Sequence, residues 1–212
     1  MSGQLRIDKV VTSGVFSLDG QDFDVDNNVW LIGDDDEVLV VDAAHQAAPI
    51  VEAIGSRTLV GVVCTHGHND HINAALAVAG AGGQDAPVYL HPDDRMLWDV
   101  VHPGHEPKAL ADGQTLEVAG TTVQVLHTPG HSPGAVCLSV PALNTLVSGD
   151  TLFCGGPGAT GRSFSSFPVI LDSIRTRLLT LPGDTEVLTG HGDSTSIGTE
   201  SKDYDAWVSR GH

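Results

Sequence analysis

The sequence predicts an α/β fold, a sandwich of sheets and helices whose loops gather chemistry along one edge. Two observations carry this expectation. Short runs rich in Val, Leu and Ile alternate along the chain with segments of helical pattern. Acidic and imidazole side chains stand in Gly, Thr and Pro-rich loops just after those apolar runs, where a scaffold of strands presents functional groups. At 212 residues the chain suits one domain, residues 1–212, with its own core.

Taken in order, RIDKVVTSGVFSL, NNVWLIG and EVLVVDA read as strands, with DGQDFDVD and GDDD as polar turns between them. The charge run Asp34, Asp35 and Asp36 reads as a solvated hairpin tip. APIVEAIGS, between Ala47 and Ser56, has the pattern of a short helix, and LVGVVC that of an apolar strand. Asn69 or Asp70 is placed to cap a helix through HINAALAVA, which the glycines from Gly80 to Gly83 end. Strand VYLH and a short helix near Asp93 to Val100 follow, then strands QTLEVA, TTVQVLH and GAVCLSV. TLVSG leads into Asp150, and a Gly-rich loop from Gly155 to Gly161 precedes a helix from Pro168 to Leu179. Strand EVLTG and a helix from about Thr199 to Arg210 complete the order.

Lys and Arg total 10 against 27 Asp and Glu, so the balance is 10 − 27 = −17. Nucleic acids and anionic membranes are poor partners for that surface, and a small-molecule substrate is expected instead. The apolar stretches Leu59 to Cys64 and Ala74 to Ala79 fall far below the roughly 20 residues of a membrane span. The opening MSGQLRIDKVV lacks an apolar export region. Cys64, Cys137 and Cys154 are odd in number, widely spaced and without a CxxC. A cytoplasmic protein is expected from these features.

The chemistry concentrates in THGHNDH, which places His66, His68, Asp70 and His71 within one loop. Residues two apart at a strand end project to one side while the next pair opens a helix, so one loop can present two ligand sets. Three further residues stand just after apolar strands: His131 in TPGHSPG, Asp150 in SGDTLF and His191 in TGHG. Seven N and O donors suffice for two divalent cations with open positions, and a carboxylate such as Asp150 suits a bridging role.

HxHxDH at 66–71, GH at 130–131, GD at 149–150 and GH at 190–191 resemble, in this order, the motifs of the metallo-β-lactamase superfamily. The nearest likeness is to its glyoxalase II (hydroxyacylglutathione hydrolase) type, and it spans nearly the whole chain. The resemblance implies an αβ/βα four-layer sandwich, two mixed sheets flanked by helices, with a dinuclear site at one edge. It implies His66, His68 and His131 on the first metal, Asp70, His71 and His191 on the second, and Asp150 on both. Zinc is the first expectation for these ions, with iron or manganese as alternatives. The activity implied is cleavage of a small thiol's thioester by a metal-bridging hydroxide, with Asp70 catalytic through its hydrogen bond to that water. A thiolate with a pKa near 8.5 leaves without a strong general acid.

The same motifs serve two other reactions. A persulfide dioxygenase of the superfamily holds a single iron through the equivalents of His66, His131 and Asp150. A lactonase wants an active-site Tyr, whereas Tyr89 and Tyr204 do not follow GD. Asp150 stands where the best-known β-lactamases of the superfamily carry Cys, and His68 where its diiron flavoproteins carry Glu, so neither of those activities is expected. Only about twenty residues follow GHG, where glyoxalase II continues into a glutathione-binding helical region. A different small thiol is therefore expected as carrier.

The remaining histidines, His45, His91, His102, His105, His127 and His212, read as packing or backbone-bonding residues. His127 is either a packed neighbour or a hydrogen-bond donor behind the site, with packing favoured. Arg162 either meets a substrate carboxylate or is a solvated loop charge. Cys154 is expected near the metals as a small buried side chain. Trp30, Trp98 and Trp207 read as core residues, with Trp98 the candidate pocket wall.

Overall fold

A computed structural model describes residues 3–83 and 85–211, so His212 lies outside the described residues. The chain opens with β1 (Arg6–Leu18), β2 (Gln21–Gly33) and β3 (Glu37–Val41), then α1 (Ala47–Ile54) and β4 (Thr58–Val63). Next come α2 (Asn69–Ile72), α3 (Ala75–Ala79), β5 (Val88–Leu90), α4 (Arg95–Val101) and β6 (Lys108–Ala109). The second half runs β7 (Thr115–Val118), β8 (Thr121–His127), β9 (Val136–Val140), β10 (Thr145–Gly149), β11 (Leu152–Phe153) and β12 (Gly156–Pro157). It ends with α5 (Phe167–Ser173), β13 (Glu186–Thr189), β14 (Thr195–Ser196), α6 (Ile197–Glu200) and α7 (Tyr204–Arg210).

Two six-stranded sheets form, ordered β1-β2-β3-β4-β5-β6 and β14-β13-β10-β9-β8-β7. Both are mixed: β3, β4, β5 and β6 pair in parallel after two antiparallel strands, and the β10–β13 pair is the parallel one in the other sheet. Alternation along each strand creates the layers. Val29 and Leu31 of β2 face the helices with Ile50, Ile72 and Trp98, whereas Trp30 and Ile32 face Val125, Leu138 and Val147 of the opposite sheet. The outer face of the second sheet packs Leu146 and Val187 on Ile170, Ile174 and Trp207. Helix, sheet, sheet and helix are thus stacked as four layers, as the sequence resemblance implied.

Several local expectations change. The polar segment DGQDFDVD is a turn only at Asp19 and Gly20; Gln21 to Asp26 continue β2 against β1. Both turn residues have positive φ, 53° and 72°, the conformation that an Asp-Gly hairpin turn supplies. The hairpin projects beyond the core, so both faces tolerate polar residues and alternation is lost. Asp34 is buried rather than solvated, its Oδ1 accepting the backbone N–H groups of Asp36 and Glu37. Those two bonds, Glu37 first, also hold its carboxyl below the usual range.

Neither Asn69 nor Asp70 caps the helix after β4: His68 occupies that position and makes no side-chain cap bond. The helix breaks into α2 and α3, and Asn69 instead accepts from Ser17 N and donates to Val15 O, tying the hairpin to the loop. The expected helix 168–179 is α5 continued by a π-helical turn, and 199–210 divides into α6, a short 3-10 turn and α7.

Candidate metal centre

All seven sequence-identified side chains come together at the edge where the two sheets meet. They arrive on the turns that follow β4, β8, β10 and β13. That edge is stitched across the sheets by Asn28 N to Gly190 O (2.8 Å), Trp30 Nε1 to Thr189 O (3.0 Å) and Val136 N to Thr65 O (2.8 Å). Glycines let the loops close on one another. A Cβ at Gly190 would stand 2.1 Å from Asp150 Oδ1, and one at Gly67 2.8 Å from Leu97 Cβ.

His68 Nδ1 lies 3.0 Å from both His66 Nε2 and His131 Nε2. A second group brings His71 Nε2 within 3.3 Å of His191 Nε2, with Asp70 Oδ2 3.5 and 3.4 Å from these two nitrogens. Asp150 sits between the groups, Oδ1 3.5 Å from His71 Nε2 and Oδ2 3.6 Å from His131 Nε2 and 3.4 Å from His191 Nε2.

Hydrogen bonds to the outward ring nitrogens fix which nitrogen each ring turns to the centre. His71 Nδ1 meets Asp42 Oδ2 at 2.9 Å, His131 Nδ1 meets Ala159 O at 2.8 Å, and His191 Nδ1 meets Asp26 O at 2.7 Å. Each of those partners accepts, so the outward nitrogen carries a proton and Nε2 is the nitrogen turned toward the centre. His66 Nδ1 lies 3.1 Å from Thr65 Oγ1, whose hydroxyl donates to Asp42 Oδ2.

The charges are those of a site short of cations. Burial, reinforced by neighbouring imidazoles, pushes His66 well below its ordinary value and His68 to about 3. Burial opposes a charge on His71 and His191 too, yet Asp150 and Asp70 overcome it, raising His71 strongly and His191 to about 10. Burial alone would raise the two carboxyls, but the paired histidines lower Asp70 to about 2 and hold Asp150 well below the usual carboxylate range. The carboxylates of Asp70 and Asp150 thus favour protons on His71 and His191 as they would favour a cation, while the nitrogens of His66, His68 and His131 converge on one another. Asp70 Oδ1 and Asp150 Oδ1 are buried without a hydrogen-bond partner, an expensive arrangement unless a cation fills it. The donor set fits divalent ions of the borderline class, and three overlapping sets could hold one: His66, His68 and His131; His66, His71 and Asp150; Asp70, His71 and His191.

Three buried residues that support this site escaped the sequence reading. Asp42 holds Thr65 N, Thr65 Oγ1 and His71 Nδ1 at 2.7, 2.8 and 2.9 Å from a backbone with φ of 55°. Asn27 Nδ2 donates to Asp70 Oδ2 at 3.0 Å, and its Oδ1 contacts His45 Nε2 at 2.8 Å. Asp94 accepts from Gly67 N (2.7 Å), Ser132 Oγ (2.6 Å) and Gly134 N (2.6 Å), clasping the His66–His71 loop to the His131 loop. Burial lifts the Asp94 carboxyl above its usual range, and those three bonds pull it partway back. The available signal was position: Asp42 directly follows an apolar strand run, as the ligands do.

The other histidines stand outside these three sets, although His91 and His127 converge with Asp93 in a separate, more exposed group. His102 is buried with Nε2 2.7 Å from Ile72 O, and His105 is exposed. His91 and His127 stack 4.0 Å apart, and His127 Nε2 donates to Pro133 O, so His127 both packs and steadies the His131 loop. Trp98 is not a pocket wall of this site; it is fully buried, its N–H donating to His105 O. Cys154 is exposed rather than buried. His102→Ala and His105→Ala are expected to leave metal content unchanged by elemental analysis. His102→Ala should lower stability by about 1–3 kcal/mol through the orphaned Ile72 carbonyl, and His105→Ala by far less. Loss of an ion in either variant would contradict the ligand sets.

The sequence matches the family described as metallo-beta-lactamase superfamily over residues 23–191. A hydroxyacylglutathione hydrolase of Cupriavidus metallidurans is 31% identical over 204 residues, covering 87% of this chain and 73% of that protein. Among solved structures, BLEG-1, described as a B3 metallo-beta-lactamase, superposes with a TM-score of 0.77 at 28% identity, covering 93% of this chain and all of that one. TTHA1623 in a di-iron-bound form superposes with a TM-score of 0.74 at 30% identity, covering 84% and 93%. With the family match spanning most of the sequence and the four-layer fold in place, the chain belongs to the metallo-beta-lactamase superfamily.

Proposed function

We propose that the protein is a dinuclear metal-dependent hydrolase that cleaves the thioester of a small thiol. The observation that carries the reading is the place of Asp150 between two converged donor sets, 3.6 Å from His131 and 3.5 and 3.4 Å from His71 and His191, with an unpartnered buried oxygen on Asp70 and another on Asp150. Two divalent cations held there, zinc first with iron or manganese as alternatives, would acidify a water and polarise an acyl carbonyl. The hydroxyacylglutathione hydrolase relative and the di-iron form of TTHA1623 support the thioester and the pair of ions respectively.

The chain's own groups then have defined tasks. Asn27 pins Asp70 Oδ2, leaving Oδ1 free to accept a hydrogen bond from the attacking water and fix its direction. A thiolate needs no acid to leave, which agrees with a centre whose carboxyls are both held ionised. The tyrosine a lactonase wants is placed elsewhere: Tyr204 hydroxyl donates to Leu171 O under α7, and Tyr89 lies against Lys108.

The deciding experiment pairs elemental analysis with anaerobic hydrolysis of acyl thioesters, beside a lactone, a β-lactam and a persulfide. Two ions per chain with thioester turnover supports the reading. One iron per chain with oxygen uptake on the persulfide overturns it.

Two quantitative expectations follow from the site. Asp70→Asn keeps an oxygen but loses the charge, so kcat should fall about a hundredfold while metal content changes little and KM less than kcat. A variant with near wild-type turnover would assign Asp70 to loop shape alone. The second concerns protons. His71 and His191 are protonated at neutral pH in the metal-free protein because their folded values are raised, and a cation must displace those protons. Metal affinity should therefore keep climbing with pH past 7 toward about 10, the His191 value. Calorimetry in buffers of different ionisation enthalpy measures the protons released; zero release at pH 7.5 would contradict the charge assignment.

A further inference from the structure

Beside His68 the structure opens a cleft of about 300 Å³. Its floor is Gly67, His68 and Asn69; one wall is Leu97, Val100 and Val101 of α4, and the other is Leu18 at the hairpin tip with Phe164. We propose that this cleft receives an aliphatic acyl group, so that the substrates are thioesters of apolar, uncharged acids. The assignment rests on the thioester reading for the bond cleaved, but the cleft is tested separately from it.

Three observations carry the inference. Val100 is 81% and Phe164 56% exposed, an unfavourable display of apolar surface that a ligand would cover. Leu97, Val100 and Val101 are spaced three and four residues apart, so α4 turns one continuous aliphatic face to the cleft. Among the described residues no Lys or Arg lines it, and the one carboxylate in its lining is Asp19, with Arg162 held outside against Gln21 and Phe23. The Ser163 hydrogen bonds lower the Asp19 carboxyl, keeping it ionised and repellent to an acid substituent.

The cleft is also built rather than incidental. Asn69 bonds both Ser17 N and Val15 O, joining the hairpin to the ligand loop. Asp19 accepts from Ser163 N, and Arg162 donates to Gln21 Oε1 while lying 4.8 Å over the Phe23 ring. Arg162 thereby fastens the Phe164 loop to the hairpin tip, so both parts of the Leu18–Phe164 wall are fixed with respect to His68. Because the cleft begins at a ligand-set histidine, an acyl tail seated against its aliphatic wall would have its carbonyl end on the His68 side.

The test uses the metal-loaded protein and non-hydrolysable S-alkyl thioethers of N-acetylcysteamine, from ethyl to octyl, titrated by calorimetry. The dissociation constant should fall about two- to fourfold per added methylene until the cleft is full. Val100→Asp should flatten that dependence, whereas Val208→Asp, an exposed valine on α7, should preserve it. In parallel, kcat/KM is measured on acetyl to octanoyl thioesters of the same thiol and on a succinyl thioester, which should be the poorest. Affinity independent of chain length, or a dependence that survives Val100→Asp, overturns the cleft assignment even if thioesters are turned over. Chain-length-dependent binding without any thioester turnover sustains the cleft and overturns the thioesterase reading.

Discussion

Asp150→Ala is expected to abolish hydrolysis and to strip both ions together. Its two oxygens reach both donor sets, Oδ1 toward His71 and Oδ2 toward His131 of one set and His191 of the other. Removing them takes a charged donor from each set and leaves two cations facing one another with Asp70 as the only neighbouring carboxylate of the ligand sets. A supporting residue behind a ligand already costs ten- to a hundredfold in affinity, so a shared ligand should cost more than about a hundredfold at each position. Elemental analysis after dialysis against a weak chelator reads the loss, and circular dichroism establishes that the fold persists. Two ions retained per chain would refute the bridging role.

The second large effect is expected away from the ligands, at Asp94. Its carboxylate is fully buried and satisfies Gly67 N, Ser132 Oγ and Gly134 N. Asp94→Ala leaves three donors unsatisfied in a dry interior, each at about 1–3 kcal/mol, on the order of 4 kcal/mol in all. That is a large share of an ordinary domain's stability and should lower Tm by roughly 10 °C. Because Gly67 lies between His66 and His68 while Ser132 follows His131, the same change frees two ligand loops from each other. A shift of about an ångström there can cost a hundredfold in turnover. Asp94→Asn keeps one acceptor and should fall between the two proteins in both Tm and kcat/KM. If Asp94→Ala melts like wild type, the clasp contributes nothing.

The sequence read alone reached the order of the longer strands and helices but not the two-residue strands β6, β11, β12 and β14, because hydrophobic periodicity and turn chemistry are local properties that need several residues to register. Arg6–Leu18, Thr121–His127 and Thr145–Gly149 match their expected runs, and Glu37–Val41 ends two residues before its own. The ligand residues were legible because HxHxDH is compact and the remaining motifs each follow an apolar run, so chain position announced that they share one edge. Superfamily membership followed from the same four motifs and their order.

What only the tertiary structure decided depends on partners distant in sequence. Asp94 joins loops 27 and 38–40 residues away, and Asn27 meets Asp70 across 43, separations for which no local pattern exists. The hairpin's true length was hidden because its distal half leaves the core and therefore loses the alternation that marks a strand. Side-chain direction was equally out of reach: within α4, Trp98 turns into the core while Leu97, Val100 and Val101 line the cleft. A helix sequence states which residues are apolar, but which neighbour each one meets is set by how the helix is docked, and here α2 and the hairpin did the docking.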